Sequence, residues 1–572
     1  MKKKWLYLIN IPSAIVLFLA FSKANVLLLA SAVIIGLILG IAEFLYLNKT
    51  NPKINIVGTI IACLIGGWIC FFIYTAFYQT RISSQNVMRK IVLSVFSEYS
   101  SGLRIISMII AVCAWPAVSA FIGIVLHCLA QICKVIDYKT LWNTLIQDIS
   151  LRSVLKRTGI TIAQVLLAVL IGAGLLAGVY ALPVNRIENN VKKSVYTMQS
   201  EGLYPTLFKW ATSTLDNFTD SFMLMEAAAP PIDSVLVDAM NVPHGGIYEQ
   251  NPVEGIVSHY VAGEAYDVIG PYARYWHGYL IFLKPLLLFF DYSQIRILNG
   301  VIQTALVGLI CVLLYKKNFK LAIIPYLLSY SMLVPPALAK SFQYSSCFYI
   351  FTFGCLALLL LREDALKNKS VGIFLVCGIM TAFFDYLTYP ISTFGIPMLF
   401  CLLLMKTEPA ESKICVMIRN GLFWCIGYAG MWISKWVLGS VITGNNIIAN
   451  GISKVMERTS TVSDDGARQY SIFVCEIKNY LTFLKTPITF ACLLMMAWFI
   501  VKVKKNKKSS AKEMIRILFP FLLTGCAPVV WYAFATNHSM IHSWFTNKAC
   551  AVSVLAVLFG LACLLQHSKD SV

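Results

Sequence analysis

Residues 159–182 read GITIAQVLLAVLIGAGLLAGVYAL, preceded by Lys156-Arg157 and followed by the polar run PVNRIENNVKKSVYTM. None of those 24 residues is charged. As a helix they rise about 1.5 Å each, enough to cross a hydrocarbon layer of about 30 Å. Comparable apolar runs recur along the chain. Of the 572 residues, 58% are hydrophobic and 13% are charged, against about 25% in an ordinary soluble domain. Mean hydropathy is +0.73. This composition excludes disorder, a coiled coil and a soluble enzyme, and it predicts an all-α polytopic membrane protein with about fourteen spans.

Working outward, four spans are expected in an N-terminal module, residues 1–158: Trp5–Phe21, Asn25–Leu47, about 54–78 and 104–133. The Lys2–Lys4 start resembles a signal peptide, but Ser22-Lys23-Ala24 is a poor cleavage site, so the first run reads as a retained span. Residues 79–103 suggest an interfacial helix. A second part, 159–572, begins with the stretch above. Further spans are expected near 295–315, 321–338, 344–361, 371–387, 391–405, 419–438, 486–503, 514–534 and 549–566. Gly278–Phe290, interrupted by Lys284-Pro285, is too short to cross and reads as re-entrant or interfacial. In this layout more than half of the 47 Lys and Arg lie in the shorter inner segments, at about three times the outer density. Both termini are therefore placed on the cytoplasmic side of a plasma membrane. The net charge of +20 is a topology signal rather than a nucleic-acid footprint. Most of the 17 cysteines sit inside apolar runs, and none has zinc spacing.

The polar clusters fall on the outer side, in loops 183–294, 439–485 and 535–548, while the span centres hold almost no ionisable groups. In PVNRIENNVKKSVYTM, Val184, Ile187, Val191, Val195 and Met198 recur at helical spacing, so an interfacial amphipathic helix is expected. In TLDNFTDSFMLMEAA, Asp216 and Asp220 are four apart and share a helix face. They are candidate catalytic carboxylates; the plainer role is a helix cap plus an exposed Asp. In IVSHYVAGEAYDVIGPYARYWHGYLIFLKPLL, His259, Glu264, Asp267, Arg274 and His277 stand among aromatics. Arg274 and His277 suit a phosphate; Glu264, Asp267, Tyr275 and Trp276 suit a sugar. An aromatic belt with a snorkelling Arg is the plainer role. In ATNHSMIHSWFTNK, His538, His542 and Lys548 could converge on an anion, or the histidines could share a metal, although HxxxH lacks the Glu of HExxH. An interfacial helix with ordinary polar residues is the alternative. Asp385, in FFDYLTYP, is a further candidate substrate contact or a simple helix end before Pro390. RTSTVSDDGARQY, residues 458–470, reads as a flexible loop or a lid. There is no P-loop, no GxSxG and no GxGxxG.

A cytoplasmic N-terminus, many spans and an early outer loop with an acidic motif resemble the GT-C class of membrane glycosyltransferases, which includes protein O-mannosyltransferases and aminoarabinose transferases; more narrowly, DNFTDSFML, YARYWHGYLIFLKPLL, FFDYLTYP and NHSMIHSWFTNK look like a group of large bacterial membrane proteins with such a core. The resemblance spans about 159–572. The class's acidic motif directly follows its first core span, whereas Asp216 stands about 34 residues beyond Leu182. The resemblance implies a GT-C-like core that moves a sugar from a polyprenyl phosphate to an acceptor hydroxyl, with inversion, at the outer face. It implies Asp216 or Asp220 as base, Arg274, His277, His538, His542 and Lys548 as phosphate ligands, and an apolar groove for the lipid tail. No cofactor is obligatory, though the Asp pair leaves room for a divalent cation. The implied partners are a polyprenyl-phosphate-linked sugar, membrane lipid and a cell-envelope glycan, lipid or protein acceptor, with no nucleic acid. A transporter or flippase of a lipid-linked saccharide is the alternative, and a non-catalytic scaffold a third.

Overall fold

The computed structural model describes residues 135–146, 151–463, 466, 468–506 and 510–570. The four N-terminal spans, the interfacial helix 79–103 and Asp464-Asp465 lie outside the described residues. From Ile136 onward the chain forms one compact unit, Ile136–Val572.

Eight helical stretches among the described residues are long and apolar enough to cross a membrane. They include α1 (Leu151–Tyr180), which contains the uncharged run, and are joined by polar turns. The chain is a membrane-embedded, predominantly helical protein. After α1 come α2 (Val184–Glu201), α3 (Asn217–Ala228) and α4 (Leu280–Leu287). The membrane helices continue as α5 (Tyr292–Lys316), α7 (Phe342–Leu360), α8 (Glu363–Phe384), α10 (Ala410–Thr443), α13 (Pro487–Asn506), α14 (Ala511–Gly525, continued by Ala527–Phe534) and α15 (Ala551–Asp570). Between them lie α6 (Lys320–Met332), α9 (Ser392–Leu404), α11 (Ile447–Thr459) and α12 (Ile472–Leu484). Their ends carry expected signals. Asp291 and Ser510 close capping boxes with Gln294 and Glu513, which satisfies the first free amides of α5 and α14.

Eight of the ten spans expected after residue 158 coincide with these long helices. The two expected at 321–338 and 391–405 do not. They are the 13-residue helices α6 and α9, each about 20 Å long and each containing a proline, Pro325 and Pro397. Hydropathy alone does not register the break after α6, where Val334 adopts a left-handed φ of 57° before Pro335 opens a new short helix.

The long loop 183–291 packs on one end of the bundle, hereafter the loop side. The expected amphipathic face of α2 is present, but Ile187, Val191, Val195 and Met198 are fully buried against α3, α4 and α5. That face is therefore part of the protein core rather than a lipid contact. The loop also holds a two-stranded antiparallel hairpin, β1 (Pro243–Gly246) with β2 (Val268–Pro271), pairing Pro243 with Pro271. Its prolines and glycines explain why this part of a helical protein is not helical.

α8 and α10 cross closely because both present glycine at the contact. A Cβ on Gly378 would run into the Trp424 carbonyl, and one on Gly427 into that of Leu375. Gly372 on α8 has open space instead. Gly378→Val is expected to cost roughly 1–3 kcal/mol of stability and to lower the unfolding midpoint in detergent. Gly372→Ala should leave it unchanged in the same thermal scan.

Candidate functional site

The acidic motif folds as the start of α3. Asp216 is its N-cap: the carboxylate accepts from the Thr219 amide at 3.1 Å and from its hydroxyl at 3.0 Å. The geometry of Asp216 is thus that of the plainer role, a helix cap. Burial pushes its carboxyl up to about 6, against the pull of the Thr219 bonds. Asp220 follows one turn later and is not exposed at all. One oxygen accepts from the Gln343 amide at 3.3 Å; the carboxylate also lies close to the Tyr292 hydroxyl, which pulls its pKa down. Burial pushes its carboxyl up to about 7, and the nearby Arg296 guanidinium only partly offsets this. Arg296 is engaged by Glu201 at 2.8 Å and by the Asn217 side-chain carbonyl at 2.9 Å.

At the far end of α3 stands a carboxylate that the sequence motifs do not single out. Glu226 is fully buried among a histidine and two tyrosines. Its oxygens accept from the Tyr279 hydroxyl and, at 3.2 Å, from that of Tyr386; His277 Nδ1 lies 3.2 Å away. Tyr386 also meets His277 Nδ1 at 2.6 Å and the Tyr279 oxygen at 2.9 Å. His277 Nε2 lies 2.7 Å from the Tyr272 carbonyl, which can only accept, so Nε2 carries a hydrogen. His277 itself has a φ of 55°, a conformation that costs a non-glycine residue energy and that concentrates at functional sites. One signal in the sequence points to this carboxylate: Glu226 is the single charge in the run FMLMEAAAPP.

A second cluster is cationic. The Arg274 guanidinium stacks 4.5 Å from the Tyr272 ring and 5.5 Å from that of Tyr275, and its Nε has no partner. The His538 and His542 rings are 4.8 Å apart. Arg458 donates to the Asn537 side-chain carbonyl at 3.3 Å, next to His538 in the chain, and its charge is felt by both Tyr275 and His542. Burial first, then His538, Arg458, Lys478 and Lys454, push His542 down to about 2 and keep it neutral. Arg458, Lys454 and Lys478 are members that the motifs do not predict.

The loop 385–390 ties the two clusters together. Asp385 caps it by accepting from the Thr388 amide at 3.0 Å, and burial raises its carboxyl to about 6. Tyr386 reaches Glu226, the Leu387 carbonyl lies 2.7 Å from His538 Nε2, and Tyr389 donates to the Tyr344 carbonyl at 2.6 Å.

Four expected site residues lie elsewhere. The Lys548 ammonium is fully buried and donates to the Thr212 carbonyl at 2.7 Å, so it latches the loop to the bundle and is not placed to meet a phosphate. Trp276 is buried, donating to the Met431 carbonyl at 2.8 Å, so it offers no face to a sugar. Glu264 and Asp267 are exposed beside the hairpin; Asp267 accepts from the Tyr248 amide at 3.0 Å. Among the described residues, no group of three His, Cys, Asp or Glu side chains could hold a metal.

The raised carboxyls carry a pH signature. An unfolded Asp ionises near 3.8, whereas Asp216 and Asp220 do so near 6 and 7 when folded. The folded chain therefore binds more protons between these values, and that stability is lost as pH rises through 6 and 7. Thermal unfolding from about pH 5 to pH 8 is expected to show a falling midpoint, and Asp220→Asn should flatten the fall. No protein-family model, no curated protein and no solved structure matches the chain.

Proposed function

We propose that the chain is a polyprenyl-phosphate-sugar-dependent glycosyltransferase of GT-C-like core, working at the outer face of a plasma membrane with inversion at the anomeric carbon. The observation that carries the reading is Asp220, a fully buried carboxylate on a short helix at the end of a membrane bundle, whose carboxyl burial raises to about 7 against the pull of Arg296 and the Tyr292 hydroxyl. A general base works best when its pKa lies near the operating pH. The acceptor oxygen attacks the anomeric carbon and its proton passes to Asp220. The bond from that carbon to the phosphate oxygen breaks, and polyprenyl phosphate leaves with the electron pair. Phosphate is a good leaving group, so the step needs cations rather than a general acid. Arg274, with its unpartnered Nε, and Arg458 supply that charge, and His538 and the neutral His542 stand beside them as ring-nitrogen hydrogen-bonding groups. Asp216 is the cap that sets α3 in place.

A specific feature favours transport of a lipid-linked saccharide as the second reading. The two short, proline-containing helices α6 and α9 resemble the broken helices found at transporter binding sites.

The test uses purified protein in liposomes with polyprenyl-phosphate sugars of several kinds, following release of polyprenyl phosphate. Asp220→Asn is expected to reduce turnover by about 10²–10⁴-fold. Asp216→Asn, which keeps a good N-cap, should stay near wild type. Arg274→Ala should raise the donor KM by about tenfold or more. Full turnover in Asp220→Asn removes the proposed base. Movement of the intact lipid-linked sugar across the bilayer, unaffected by Asp220→Asn, supports the transport reading.

A further inference from the structure

At the end of the bundle opposite the loop side, the starts of α6 and α10, the ends of α9 and α15 and the first half of α14 line a cavity of ≈ 110 Å³. One water needs about 10–15 Å³, so the space admits a larger group. No Asp or Glu lines it, but two lysines do. Lys413, on the first turn of α10, is only 9% exposed. Lys406, just before that helix, is exposed and lies 4.2 Å from the Phe319 ring. Among the described residues neither ammonium makes a hydrogen bond or an ion pair, and that of Lys413 is not sealed from the cavity. The carboxylates whose charge reaches Lys413 are engaged elsewhere: Glu408 by Lys367 at 2.6 Å, Glu363 by the Thr407 hydroxyl at 3.1 Å. A lysine that merely marks topology carries its ammonium out to water. A buried ammonium without an acceptor is costly. The N-terminus of α6 opens on the same space: Phe319 and Leu321 line it, and no side chain caps the helix. Free amides at a helix start favour an anion.

We propose that this cavity binds a phosphate group, with Lys413 and Lys406 as its cations and the first amides of α6 as further donors. Lysine meets phosphate as a point charge, and basic pockets between membrane helices hold anionic lipid headgroups. The phosphate belongs either to such a headgroup or to a free phosphate, and the recognising groups are the same for both. The site lies at the other end of the bundle from Arg274 and Arg458, so it stands apart from the function proposed above.

The test uses the full chain carrying Arg274→Ala, so that phosphate held by the loop-side cations does not enter the reading. In phosphatidylcholine nanodiscs, inorganic phosphate is titrated against the thermal unfolding midpoint, with chloride at matched ionic strength as its control. In a second arm, the protein in detergent is mixed with phosphatidylglycerol, with phosphatidylcholine as the control, and bound lipid is counted by native mass spectrometry. At least one probe is expected to bind better than its control, and which one does so identifies the source of the phosphate. Lys413→Met should weaken that binding by about tenfold or more, and Lys413→Arg, which keeps the charge, should retain most of it. Lys406→Met, at an exposed position, should give a smaller loss. Lys502→Met, on α13 and outside the cavity lining, should give none. The proposal is overturned if neither probe binds better than its control, or if binding is unaltered in Lys413→Met. Where that variant does not fold, unaltered binding in Lys406→Met overturns it.

Discussion

A guanidinium withdrawn from water needs acceptors, and Arg296 near the start of α5 finds them for its two terminal nitrogens in two other elements, its Nε staying unpartnered. It holds Glu201 at the end of α2 and Asn217 at the start of α3, and it stacks 4.7 Å from the Tyr292 ring. These contacts fix where the loop-side layer sits on the membrane bundle. With α3 set, Asp216 caps it, Asp220 is sealed beneath it and Glu226 falls at its far end. Removing one partner of such a buried ion pair costs more than the pair itself contributes, because the remaining charge is stranded.

The remainder of the loop side hangs on a few residues that leave regular structure. The loop 385–390 breaks away after α8 and serves three separate contacts within four residues: Tyr386 for the Glu226 cluster, the Leu387 carbonyl for His538, and Tyr389 for Tyr344. Leu387 takes a left-handed φ of 63° to do so, as His277 takes one of 55°. A regular helix could not point three successive groups in these directions. Acid–tyrosine–histidine contacts and the cationic patch are thereby kept adjacent but chemically separate. One side is rich in hydroxyls, the other in positive charge.

Much of this is legible in the sequence. Uncharged runs such as 159–182 mark the membrane helices, because the cost of burying charge in hydrocarbon leaves few alternatives. The period of Val184 to Met198 marks α2 and its buried face. What the sequence hides depends on distant contacts. Asp216 and Asp220 look equivalent at a spacing of four, yet one has a local partner in Thr219 and the other does not. Glu226 escapes notice because it has no ionisable neighbour in sequence; its partners are 51 to 160 residues away. Lys548 stands beside two histidines in the chain and looks like part of their anion site, while its acceptor is the carbonyl of Thr212.

That latch bears on how the chain is made. Lys548 and Thr212 are 336 residues apart, and a second hydrogen bond from the Thr212 hydroxyl to Asn547 repeats the link at a separation of 335. Chains are synthesised from the N-terminus at about 5–20 residues per second. The Thr212 carbonyl must therefore wait tens of seconds for the ammonium that completes it. The loop-side layer is thus closed only once residues 547 and 548 have been made. A chain cut short anywhere before residue 547 leaves this seam open, with the Thr212 hydroxyl and carbonyl lacking these partners.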